Sequence, residues 1–327
     1  MSLLRIEDLA TSFFLEEGEL KAVDGVTFEV GEGETVALVG ESGCGKTIVA
    51  LSILDLVPSP GRIVRGRVMF RHENLLRAPP EKLRLTRGQE IGIVFQEPGA
   101  ALNPVYPIGK QIEEMLQLHR GMLKLDAERE AVRLLGSVGI PLPEKRVKAY
   151  PFELSGGMRQ RAVIAIATCT RPRLLIADEP TTALDVTVQA EILDLLQDLQ
   201  EQHGMAILLI THDLGVVAEM ASRMLVMYTG KLFETGPTKD LFEDPKHPYT
   251  TGLMDSIPKI GAGRDEPLEG IRGSVPDLLD LPEGCTFHPR CDLAYVDCEQ
   301  AFPEEIKVGI GRTCACFRSL KHSVEMR

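Results

Sequence analysis

The sequence predicts an α/β fold in which a phosphate-binding loop follows a buried strand, and three observations predict it. Val36 to Val39 is an apolar run leading into Gly40 to Thr47, whose Gly-x4-Gly-Lys-Thr form is that of a loop cradling phosphates. Leu174 to Ala177 ends in the acids Asp178 and Glu179, and Ala206 to Ile210 ends in Thr211, His212 and Asp213. Buried strands that deliver polar groups at one end are the pattern of an open parallel sheet. Residues 3 to 39 instead alternate apolar and polar positions between Gly25, Gly31 and Gly33, the pattern of an antiparallel layer.

That layer comes first in the chain and includes Phe13 and Phe14, either of which offers a flat face for adenine. In the loop, Gly40, Gly43 and Gly45 are free to take backbone angles that point successive N–H groups inward, and a helix from Lys46 adds its positive end. The nucleotide-contacting stretch is Gly40, Ser42, Gly43, Cys44, Gly45, Lys46, Thr47 and Ile48, with the Cys44 side chain turned away. Lys46 is expected at the β- and γ-phosphates and the Thr47 hydroxyl at Mg²⁺.

Strands are expected over Arg67 to Phe70 and Ile91 to Phe95, the second ending at Gln96. Residues 109 to 139 then carry apolar positions at helical spacing (Ile112, Met115, Leu116, Val132, Leu135, Val138), so a helical insertion interrupts the sheet. Leu154 to Met158 holds a glycine pair ahead of a helix expected over Ala162 to Thr170. Asp178 is a candidate to hold Mg²⁺ through its water shell, and Glu179 to polarise an attacking water. Asp185 caps a helix with apolar face Val188, Ile192, Leu195 and Leu199 that ends near Gly204. His212, at a strand end, is placed to contact a γ-phosphate. From Gly236 the composition turns to Pro, Gly and charge, which predicts a connector with a short helix and a flexible linker over Gly261 to Gly270.

The 327 residues, 44% hydrophobic, bury a full core, and the net charge of −12 has the wrong sign for a surface that binds nucleic acid. No apolar run approaches the ~20 residues of a membrane span, and the N-terminus lacks a signal-peptide layout, so a cytosolic chain is expected. Of seven cysteines, Cys285, Cys291, Cys298, Cys314 and Cys316 crowd the tail. Three of them followed by Cys316 or Cys314 supply four thiolates in a segment with little apolar content, too little to fold unaided, so a metal centre is expected. All-cysteine ligation at irregular spacing suits a [4Fe–4S] cluster, with Zn²⁺ and then unmetallated cysteines as the alternatives.

The phosphate loop, Gln96, Leu154 to Gly157, Asp178, Glu179, Asp185 and His212 occur in the order that defines ATP-binding-cassette (ABC) ATPases, and residues 3 to 235 resemble that family. The resemblance implies an ABC-type P-loop NTPase with a RecA-like core, an antiparallel β subdomain and a helical subdomain over about 97–160. It implies a domain over 1–235, a linker over 236–270 and a cysteine-rich metal-binding extension over 271–327. It also implies a head-to-tail pair in which Ser155, Gly156 and Gly157 face the partner's nucleotide, Ser155 and Gly157 binding its γ-phosphate. Gln96 would then sense the nucleotide at the Mg²⁺ ion, Asp185 would couple two ATP sites, and His212 would hold the γ-phosphate and attacking water. Phe13 matches the adenine-stacking position better than Phe14.

Phe95 to Pro104, Pro245 to Thr250, Ser256 to Pro258 and the cysteine tail narrow the resemblance to the ATPase subunits of dipeptide and oligopeptide importers. It implies a [4Fe–4S] cluster on Cys285, Cys291, Cys298 and Cys316, with Cys314 as the alternative fourth ligand. It further implies a heterodimer with a second homologous ATPase, two membrane permeases, an extracytoplasmic peptide-binding protein, and a place at the cytoplasmic face of the inner membrane through the permeases. The rival readings are an ATPase of a nickel or other small-solute importer, a soluble ABC ATPase acting on nucleic acid or ribosomes, and a redox-responsive interaction module.

Overall fold

Two kinds of strand build the protein, and their burial follows their hydropathy. β1 (Ser2–Leu15) and β2 (Gly18–Gly31) mix exposed and buried positions, whereas every residue of β3 (Thr35–Val39) is buried. β4 (Gly61–Phe70), β5 (Glu73–Asn74), β6 (Ile91–Val94), β7 (Leu174–Asp178), β8 (Ala206–Thr211), β9 (Arg223–Tyr228), β10 (Lys231–Pro237), β11 (Ile306–Gly309) and β12 (Arg312–Cys314) follow. Like β3, β7 and β8 are buried along their length, which is why they read in sequence as unbroken apolar runs. This computed structural model describes residues 2–182, 184–257 and 270–320. The linker expected from Gly261 lies, up to residue 269, outside the described residues.

The chain divides into two units, with boundaries that fall inside β1, β2 and β8 as well as between elements. One is built on Met1–Leu3, Val30–Glu34 and Arg77–Leu209. In it β6 runs parallel to β7, Ile91 opposite Leu174 through Val94 opposite Ala177, and β8 lies on the other side of β7. A parallel pair needs a long crossover, and the helical segment between β6 and β7 supplies it. The apolar spacing seen over 109 to 139 is shared by two helices, Ile108–Arg120 and Lys124–Ser137, because Gly121 ends the first at φ 61°. The helix expected from Ala162 begins at Gly156 instead, since Ser155 caps it by accepting the Met158 N–H. Val186–His203 forms as expected, with the Asp185 carboxylate accepting from Val188 N–H at 3.0 Å and Gly204 ending it at φ 63°.

The other unit comprises Leu4–Glu29, Thr35–Leu76 and the chain from Ile210 onward. Its antiparallel sheet has the order β2-β1-β4-β5, with the β1–β4 register shifting between Glu7 and Ala10. β3 runs parallel to β9, β9 and β10 form an antiparallel pair, and β12 adds to β10 with Glu234 opposite Cys314.

The cysteine tail corrects an expectation. Its own composition has too little apolar content for a core, yet Cys285 and Phe287 are buried in one cluster with Tyr228, Phe233 and Tyr249. The Phe287 ring meets Tyr228 edge-on at 5.4 Å between centroids and Tyr249 at 5.3 Å. Glu234, fully withdrawn from solvent, accepts from Arg312 at 3.1 Å. The tail therefore borrows its core from residues 228 to 249 and is seated by packing as well as by its cysteines.

Candidate functional site

In the loop, Gly40, Gly43 and Gly45 take φ of 152°, 80° and 104°. Two of them also lack room for a side chain: a Cβ on Gly40 would stand 2.1 Å from the Met227 carbonyl, and one on Gly45 2.1 Å from that of Ala22. Gly45 leads directly into the helix Lys46–Ile53. Lys46 is 5% exposed, and its ammonium donates to the carbonyls of Gly40 at 2.8 Å and Glu41 at 2.9 Å. The lysine thus spans the loop from inside while Ser42, Gly43 and Thr47 form an exposed lip and Ile48 is half-buried. Cys44 is fully buried, its sulfur 3.7 Å from Lys46 Nζ, and burial pushes its thiol pKa up. Its side chain belongs to the floor of the loop.

Phe13 is half-buried over Gly61, where a Cβ would come within 2.6 Å of the ring. Phe14 is engaged by the Arg62 guanidinium, 4.1 Å from its ring centre. His212 follows β8 and is exposed. The neighbouring Asp213 is a helix cap, accepting from the N–H groups of Gly215 at 2.9 Å and Val216 at 3.4 Å.

In the unit that carries β7, Asp178 ends the strand and is 2% exposed. Glu179 takes φ 46°, a left-handed conformation that costs a glutamate about 1–3 kcal/mol. Its carboxylate accepts from Gln96 Nε2 at 2.9 Å and Thr182 Oγ1 at 2.7 Å. Gln96 and Glu179 are thereby brought together, and Thr182 is a partner that sequence reasoning missed. Ser155 and Gly156 are exposed at the start of their helix, and a Cβ on Gly157 would stand 2.8 Å from the Val188 side chain. Asp185 serves as the cap described above.

Cys285, Cys291, Cys298 and Cys316 line one cavity of about 20 Å³, with Phe287, Leu293 and Phe317 among its walls. Cys314 lies elsewhere, on β12, and accepts from Ser319 Oγ at 3.5 Å. Burial, and then the neighbouring thiols, push Cys285 up to about 12, and burial raises Cys291 and Cys316 as well. Among the described residues no group of three or more His, Cys, Asp or Glu side chains is arranged to hold a metal ion. None of the described helices is long and apolar enough to cross a membrane.

Known proteins share this layout. A family model described as "ABC transporter" matches residues 23–182, and one described as "Oligopeptide/dipeptide transporter, C-terminal region" matches 233–298. The chain is 49% identical to a putative peptide import ATP-binding protein of Brucella abortus, over 97% of both chains. It is 49% identical to the oligopeptide transport ATP-binding protein OppD of Bacillus subtilis, over 92% of this chain and 85% of that one. The dipeptide transport ATP-binding protein DppD of the same organism is 45% identical over 96% and 94%. Among solved structures, the dimeric ATP-binding cassette MJ0796, bound to ADP and Pi in a post-hydrolysis state, matches with a TM-score of 0.65 and 27% identity, over 72% of this chain and 98% of that one. With its phosphate loop, its acid-tipped strand and a C-terminal region matched to peptide transporters, the chain belongs to the ABC transporter ATP-binding proteins of peptide importers.

Proposed function

We propose that this ATPase powers the import of dipeptides or oligopeptides through partner permeases. The carrying observation is the full-length likeness to peptide import ATP-binding proteins, which extends through the tail as well as the cassette. In this reading Phe13 stacks on adenine, and the loop N–H groups of Gly40, Ser42, Gly43, Cys44, Gly45, Lys46, Thr47 and Ile48 surround the phosphates. Lys46 exchanges its two carbonyl partners for β- and γ-phosphate oxygens. Thr47 and Asp178, with Gln96, provide the hard oxygen donors that suit Mg²⁺, which when bound offsets phosphate charge. Glu179 takes a proton from water as its oxygen adds to the γ-phosphorus, the bond to the β–γ bridging oxygen breaks, and ADP leaves with the electron pair. His212 holds the γ-phosphate. Gln96, bonded to Glu179, reports the change towards the permeases.

Ser155, Gly156 and Gly157 complete an ATP site on a second, homologous ATPase subunit, and Asp185 couples the two sites. A peptide-binding protein on the far side of the membrane delivers the cargo, and the ATPase sits at the cytoplasmic face through its permeases. Residues 1–235 act as the nucleotide-binding domain and 271–327 as its extension.

Four thiols line the cavity, with His247 and His288 also on its wall and no carboxylate, and this thiol-rich set is what supports a [4Fe–4S] cluster on Cys285, Cys291, Cys298 and Cys316. The cavity of about 20 Å³ has room for about one water, so a cluster held there would need these side chains to give way. Bound there, the cluster would crosslink four points of the tail.

The test is Glu179→Gln in the full chain reconstituted with its permeases. Hydrolysis and peptide uptake are expected to fall at least ~100-fold while MgATP still binds. Retained hydrolysis, or uptake that does not depend on hydrolysis, would sink the proposal.

A further inference from the structure

One residue of the phosphate loop is held by the connector and the tail. The N–H of Glu41 donates to Tyr249 Oη at 2.9 Å, and its carboxylate receives Arg290 through Nη1 at 2.7 Å and Nη2 at 2.9 Å. The Arg290 side chain is 5% exposed and that of Glu41 28%, so the pair is largely withdrawn from solvent screening. Two parallel N–H···O bonds fix direction as well as distance. Arg290 is itself fixed, donating from Nε to the Arg272 carbonyl at 2.8 Å and from Nη1 to Tyr228 Oη at 3.2 Å.

The position of Glu41 makes this pairing consequential. It follows Gly40 in a loop whose lysine, inward N–H groups and helix N-terminus favour anions. A free carboxylate there would oppose a triphosphate and would be drawn towards Lys46. We propose that Arg290 is a positioning residue for nucleotide binding: by pairing with Glu41 it cancels that charge, keeps the carboxylate out of the phosphate cradle and ties the cysteine segment to the ATP site. Arg290 ends the 3₁₀ turn His288–Arg290 directly before Cys291, and the N–H groups of Arg290 and Cys291 bond to the carbonyls of Phe287 and His288. The fold of the cysteine segment therefore sets where the guanidinium stands. This inference rests on Gly40 to Thr47 being the ATP loop.

MgATP binding by titration calorimetry and steady-state hydrolysis, both on the full chain, test it. Arg290→Met is expected to raise the Kd for MgATP about tenfold while leaving kcat at saturation within about twofold. The double variant Glu41→Gln with Arg290→Met, which no longer carries the opposed charge, should return to within about threefold of wild type. Arg290→Lys, a charge without the fork, should fall between. Wild-type affinity in Arg290→Met, or a double variant as weak as the single, overturns the inference. If Arg290→Met fails to fold, Arg290→Lys with and without Glu41→Gln gives the same comparison. A wild-type chain that binds no MgATP would defeat the ATP-loop reading, whereas wild-type binding with an unaffected Arg290→Met defeats only the role of Arg290.

Discussion

The phosphate loop and the cysteine tail belong to the same unit but are specified in opposite ways. The loop is shaped within eight residues, by glycines at φ values other side chains resist and by a lysine bonded to carbonyls five and six positions back. The tail takes its shape from a distance, through rings of Tyr228 and Tyr249 and the edge of β10. Local specification makes a motif recognisable out of context; remote specification leaves composition as the only trace. The two meet where Arg290 reaches Glu41 across 249 positions of sequence.

Glycine substitutions press hardest on this contrast. Gly45→Ala places a methyl against the Ala22 carbonyl at an unfavourable φ, and Gly284→Ala, at φ 71°, places one 2.4 Å from the Cys298 carbonyl. Each is expected to cost about 3 kcal/mol of stability by thermal denaturation. Only Gly45→Ala should abolish MgATP binding in the molecules that remain folded, and equal loss of binding in both would erase the distinction between the regions. Cysteine variants act next. Cys298→Ser, in anaerobically purified protein, should remove absorption at roughly 400 nm together with bound iron, and raise the Kd for MgATP by less than about threefold. The smallest effect belongs to Cys314→Ser, outside the cavity: absorption unchanged and a loss of about 1 kcal/mol. Absorption lost in Cys314→Ser and kept in Cys316→Ser would reassign the fourth ligand of the proposed cluster, and no absorption in the wild-type chain would remove the cluster.

Legibility in the sequence follows the same division. The strand into the loop, the acid-tipped β7, the Asp185 cap and the Gly204 stop all declare themselves within a few residues, because each is a local backbone requirement. The start of the helix at Gly156 was less visible, since Ser-Gly-Gly alone equally describes a turn. Thr182 and Tyr249 left no signal: a threonine three residues past Glu179 and a tyrosine 208 positions from Glu41 become partners only through the fold. The burial of the tail is hidden from the sequence for a related reason. Apolar content counted along a window cannot include the rings of residues 228 to 249 that complete its core.

The antiparallel addition of β12 to β10, with β11 outermost, has a further consequence. Without the tail, β10 would present unpaired backbone N–H and C=O groups along Glu234 and Thr235, a ready template for the β10 of another copy. The tail thus covers this edge, with the short strand β11, which carries Lys307, outermost. A chain shortened to residue 280 is expected to show more concentration-dependent self-association in size-exclusion chromatography than the full chain.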